Sequence, residues 1–152
     1  MTTRTSNIGI CVRDLERSVA FYCRALGFRG SAAFTLGSEL AEFTDLPQSK
    51  LTMQFVSDGA YEIELLQVHN PGHVGDGASR PINTLGDVHL AFRVDDIDAT
   101  LELVERYGGT AARHTRMSLD LGDGEPGQYV FCFDPDGVRI ELLTKEMEKV
   151  YE

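Results

Sequence analysis

Asn7, Glu64, His89 and Glu141 are the side chains of this protein best placed to do chemistry, because they occupy equivalent places in an internal repeat. The pattern of residues 7–15 recurs at 89–97, and Ile63-Glu64-Leu65-Leu66 recurs as Ile140-Glu141-Leu142-Leu143. A repeat of this length means two copies of one supersecondary unit. Glu64 and Glu141 each interrupt an apolar run, and a carboxylate in such a place needs a partner. Two carboxylates facing one cleft repel unless a proton or a cation intervenes. One imidazole and two carboxylates suit a divalent ion such as Zn, Ni, Mn, Co or Fe. The Asn7 amide oxygen, or a water, is a weaker further donor. The alternative is an ordinary polar cleft in which Glu64 or Glu141 pairs with Arg93.

Strands must aim these groups. Residues two apart in a strand share a face, so Asn7, Gly9 and Cys11 lie together, as do His89, Ala91 and Arg93. The opposite faces, Ile8, Ile10, Val12 and Leu90, Phe92, Val94, are apolar and are expected to pack on helices. Asp14 and Asp96 can each cap a helix through the carboxylate. The expected buried faces are Leu15, Val19, Tyr22, Leu26 and Ile97, Leu101, Val104. Gly27 and Gly108-Gly109 end these helices. A weaker strand is expected over 29–36 and an irregular segment over 40–48. Hairpins are predicted for 50–56 with 61–67 about Asp58-Gly59, and for 128–133 with 138–144 about Asp134-Pro135-Asp136-Gly137. A strand over 111–117, a polar loop over 120–127 and a short helix after Lys145 complete the reading. Each copy is thus βαβββ. The expected fold is α+β: two βαβββ modules forming an open, eight-stranded, cleft-bearing sheet. It forms a single domain over 1–152, with module one at about 6–67, a linker at 68–87 and module two at about 88–145.

The formal net charge of −10 argues against nucleic acid as a partner, since phosphate contacts need clustered Lys and Arg. No apolar run approaches the roughly 20 residues of a membrane helix, so no membrane partner is expected. The N-terminus lacks an apolar h-region, and Cys11, Cys23 and Cys132 lack metal-type spacing. They read as reduced core thiols of a cytoplasmic protein. His69, His73 and His114 read as surface residues.

The repeated module, the Asp14 and Asp96 helix starts and the Asp134–Leu142 ending resemble the vicinal oxygen chelate superfamily, which includes glyoxalase I, methylmalonyl-CoA epimerase, extradiol dioxygenases and bleomycin resistance proteins. The resemblance covers about residues 6–145. It implies that one metal ligand opens and one closes each module, here Asn7 and Glu64, then His89 and Glu141. Asn7 departs from the histidine or glutamine typical of that first place. The resemblance further implies a metal-dependent isomerase or lyase acting on a small oxygenated molecule (a 2-oxo compound, a thioester or similar), and a homodimer. Glu141 is then the first choice for a base and Glu64 the second. Arg93 is an anion anchor and Cys11 a substrate-binding position. Cys11 stands where the glyoxalase I pattern has an arginine, and Val68 where it has an asparagine. The other implied function is metal-free binding and sequestration of a small molecule, as in the bleomycin resistance type.

Overall fold

The computed structural model describes residues 2–122 and 124–147. Its chain divides into two compact units, residues 1–76 and 77–152, which correspond to the two sequence copies.

In the first unit, β1 (Ile8–Cys11) leads into α1 (Leu15–Ala25). The Asp14 carboxylate accepts from the Arg17 N–H at 3.0 Å, which satisfies one free donor of the first turn. The buried face of α1 is Leu15, Ser18, Phe21, Tyr22 and Ala25, while Val19 and Leu26 are only half-buried. The expected stripe therefore lies off the observed one by part of a turn. Next, β2 (Arg29–Gly30) and β3 (Phe34–Leu36) replace the one weak strand expected. The segment expected to be irregular holds a 3-10 turn, Ser38–Leu40, and a four-residue helix, α2 (Ala41–Thr44). β4 (Lys50–Ser57) and β5 (Glu62–Asn70) form the predicted hairpin, whose Asp58 carboxylate accepts from the Ala60 and Tyr61 N–H groups. β5 reaches Asn70, two residues beyond the expected start of the linker. The sheet runs β1-β5-β4-β2, with β3 also on β4, and β1 lies parallel to β5.

The second unit repeats the plan. β6 (His89–Arg93) leads to α3 (Ile97–Arg106), capped by Asp96 and buried through Ile97, Leu101 and Val104 as expected. β7 (Thr110–Leu119), β8 (Gly127–Phe133) and β9 (Arg139–Leu143) complete a sheet ordered β6-β9-β8-β7, with β6 parallel to β9. The described strands thus number nine, in sheets of five and four, because module one divides its second strand. The short helix expected after Lys145 falls largely outside the described residues, and Glu146 and Met147 are not helical.

Each core lies between a helix and one sheet face. Ile10, Val12, Ile63 and Leu65 are buried in the first unit, and Leu90, Ile140 and Leu142 in the second. Cys132 is wholly buried, Cys23 half-buried and Cys11 exposed. The core-thiol expectation thus holds for Cys132 and is corrected for Cys11, whose side chain shares the exposed face of β1 with Gly9. Burial pushes the Cys132 thiol up to about 12, with the Asp134 charge adding to it. His69, His73 and His114 are exposed, as expected.

Candidate functional site

Each unit builds a half-site, and the two are built alike. Parallel pairing sets Gly9 opposite Glu64 in the first unit and Ala91 opposite Glu141 in the second. The residue two before each of these, Asn7 or His89, then reaches the glutamate diagonally. Asn7 Nδ2 donates to Glu64 Oε2 at 2.8 Å. His89 Nε2 lies 3.3 Å from Glu141 Oε2. The repeat seen in sequence is therefore a repeat of strand register and of polar contact.

A third member of each half-site comes from the antiparallel neighbour. Phe55 stands opposite Glu64, and Phe131 opposite Glu141. Phe55 stacks on Phe34 with centroids 6.1 Å apart, and Phe131 meets the His89 ring edge-on at 6.0 Å. Both carboxylates are thus flanked by an aromatic ring on one side and a polar side chain on the other. The sequence reading missed these phenylalanines, because cross-strand register is not written in local periodicity.

Arg139 is a third residue it missed. It stands opposite His89 in the β6–β9 pairing, with only 10% of its side chain exposed. Its guanidinium lies over the rings of Phe131 at 5.2 Å and Phe133 at 5.0 Å. It donates to the Arg80 carbonyl, and its Nε lies 3.9 Å from Asp87 Oδ2 without a hydrogen-bond partner. The arginine thereby ties the segment leading into β6 to the strand that carries Glu141. The one cue was its place two residues before Glu141 on the same strand face.

Arg93 sits at the far end of β6 on the face of His89 and is exposed. Among the described residues it forms no ion pair with Glu62, Glu64 or Glu141. Cys11 is exposed on the matching face of β1, opposite Leu66.

A model of the family described as Glyoxalase/Bleomycin resistance protein/Dioxygenase superfamily matches residues 4–142. The chain belongs to this superfamily. The relatives of this glyoxalase-superfamily protein include a lactoylglutathione lyase of Haemophilus influenzae, 31% identical over 142 residues that span 91% of this chain and 90% of that one. A probable chloroplastic lactoylglutathione lyase of Arabidopsis thaliana is 30% identical over 88% of this chain, which spans only 33% of that longer protein. A glyoxalase family protein from Bacillus cereus shares the fold, with a TM-score of 0.76, 21% identity and 94% of each chain covered.

The resemblance drawn from the sequence implies a divalent metal, which is the group to test against these residues. The donor chemistry fits: a half-exposed imidazole touches a carboxylate in one half-site, and a partly buried carboxylate meets an amide in the other. Among the described residues, no three His, Cys, Asp or Glu side chains gather as a ready-made metal cluster.

Proposed function

We propose that this protein is a metal-dependent isomerase or lyase acting on a small oxygenated substrate, such as a 2-oxo compound or a thioester. The observation that carries the reading is the Glu141–His89 contact at 3.3 Å, built on the same register as the Asn7–Glu64 contact. Glu64, His89 and Glu141 would hold a divalent ion (Zn, Ni, Mn, Co or Fe), with Asn7 as a weaker oxygen donor. When bound, such an ion supplies Lewis-acid polarisation of vicinal substrate oxygens. Glu141 is the base that takes a proton from the carbon beside the carbonyl, and Glu64 is the second candidate. Arg93 offers a planar guanidinium to an anionic group of the substrate. Cys11 contributes to the substrate side of the first half-site. The names of the curated relatives support the lyase class. Cys11 and Val68, where glyoxalase I has arginine and asparagine, weigh against glutathione as the carrier. The protein works as a homodimer in the cytoplasm, where its three cysteines, which form no disulfide, stay reduced.

One observation favours a second reading. The Asn7 amide satisfies Glu64 with no cation needed, which suits a protein that binds and sequesters its ligand without reacting. Elemental analysis of the purified protein, beside Glu141→Ala and His89→Ala variants, separates the two. The enzyme reading expects near-stoichiometric metal that both substitutions abolish. Failure to retain Ni, Zn, Mn, Co or Fe after incubation would overturn it in favour of sequestration.

A further inference from the structure

His89 opens β6, and the chain just before it offers little support. Residues 81–88 are mostly exposed. Their backbone bonds, from the Thr84 N–H to Pro81 and from the Asp87 N–H to Thr84, fold the segment only on itself. Yet a site residue must be held to within about 0.5 Å to keep a contact such as the one with Glu141. The anchor comes from across the sheet. Arg139 stands opposite His89 on one neighbouring strand and opposite Phe133 on the other. On the backbone side it donates to the Arg80 carbonyl, and its Nε lies 3.9 Å from Asp87, two residues before His89. On the ring side its guanidinium covers Phe131 at 5.2 Å. Phe131 in turn meets the His89 ring with centroids 6.0 Å apart and planes at 78°. Phe133, at 5.0 Å, holds the guanidinium itself. Phe131 is thus a wall with a planar cation on one side and the imidazole against it.

The first copy shows that the fold does not require this arginine. Glu62 takes its place in the echoed segment. Glu62 is exposed, and its partner on β4 is Ser57 rather than a phenylalanine. The hairpin, the parallel register and the diagonal polar contact form there all the same. What the first copy lacks is an imidazole, since Asn7 opens it. Arg139 is nine-tenths buried, and its Nε has no hydrogen-bond partner among the described residues. Burying such a group costs free energy, and only the copy with the histidine bears that cost. We propose that Arg139 is a positioning residue. Through Phe131 and the segment before β6, it holds the His89 ring with Nε2 towards Glu141 before any cation or substrate arrives. This rests on the reading of His89 as a residue of the site.

The test uses the full chain, treated with EDTA and carrying ¹³C- and ¹⁵N-labelled histidine. Ring relaxation reads the order of each of the four imidazoles. In the wild type the His89 ring should be as ordered as rigid backbone, at an order parameter of about 0.85. The exposed rings of His73 and His114 should fall below about 0.6. Arg139→Gln should bring His89 down to their range and leave those two unmoved. Phe133→Leu removes one ring beneath the guanidinium but leaves the Phe131 wall, so His89 should stay ordered even if the protein melts earlier. Zinc affinity, read by competition with a chelating dye, should fall at least about tenfold in Arg139→Gln, as for other groups that orient a ligand. If that variant does not fold, the wild-type comparison decides alone. A wild-type His89 as mobile as His73 would overturn the proposal. So would a His89 that stays ordered in Arg139→Gln, or zinc affinity that the substitution leaves unchanged. Order that depends on Arg139 in a protein unable to hold metal would sink the enzyme reading and keep the positioning role. Zinc held by a wild type with a mobile His89 would do the reverse.

Discussion

Gly137 closes the turn between β8 and β9 and so sets where Glu141 begins. Its φ is +87°, and a Cβ added there would meet the Gly77 carbonyl oxygen at 2.2 Å. Gly59, in the matching hairpin of the first unit, has φ +99° but open space around its Cβ position. The two positions share the conformational demand and differ in the close approach. A left-handed alanine costs roughly 1–2 kcal/mol, offset in part by the reduced freedom of the unfolded chain, so Gly59→Ala should cost about 1 kcal/mol. Gly137→Ala adds a backbone collision that must be relieved by moving residues 77–78. Overpacking of that kind costs about 1–3 kcal/mol, which brings the total to roughly 2–4 kcal/mol. Urea unfolding of both variants reads the difference, with unchanged m-values as the sign that stability alone has moved. If Gly137→Ala is no costlier than Gly59→Ala, the approach of Gly77 does not constrain the turn and the reasoning fails.

Further outcomes are expected elsewhere. Cys132 has its thiol pushed up from 9.0 to about 12 in the folded protein, so its contribution is full below pH 9 and is lost as pH rises towards 12. The gap corresponds to about 4 kcal/mol at most, and alkaline unfolding curves of Cys132→Ala should be flatter than those of the wild type over that window; parallel curves would refute it. Arg139→Met removes two ring contacts and unpairs the Arg80 carbonyl, at about 2–3 kcal/mol. Hydrogen exchange at the Thr84 and Asp87 amides, which bond within the segment that Arg139 ties down, should quicken, and Arg139→Lys should recover less than half of the loss because it lacks the planar fork; full recovery would point to charge alone. Asn7→His sets an imidazole against Glu64 as His89 stands against Glu141, and nickel competition should show about tenfold tighter binding or more. Unchanged affinity would remove position 7 from the proposed ligand set.

The parts of the fold that came through from sequence are those governed by neighbours along the chain. Asp14 and Asp96 cap helices because the carboxylate reaches N–H groups three residues on, and that spacing is visible in a string of letters. The α3 face was legible because only one apolar stripe exists there. The α1 face was not. Ser18 is wholly buried, and the sequence offers no hydrophobic signal at a small residue that lets a helix approach a sheet closely. The half-sites were half legible. Alternation along β1 and β6 marked Asn7 and His89, and the echo of Ile-Glu-Leu-Leu marked both glutamates. Phe55, Phe131 and Arg139 depend on which residue of one strand faces which residue of another, and that is not a local property.

The differences between the two copies bear on function more than their likeness does. Register, caps and glutamates are common to both, so the backbone presents two equal places for a polar pair. What occupies the opening place differs. His89 brings a nitrogen with a lone pair that can bind a cation or share a proton with Glu141. Asn7 brings an amide whose N–H already satisfies Glu64 and which takes no part in proton exchange. A carboxylate held by an amide has a partner with a fixed donor, whereas a carboxylate beside an imidazole has one that can both donate and accept. The ring environments differ in the same direction. Phe55 stacks on a half-exposed Phe34, whereas Phe131 packs against His89 and Arg139. Within one duplicated frame, these differences favour the second half-site as the place of the proposed chemistry, and they support the proposal of Glu141 ahead of Glu64 as the base.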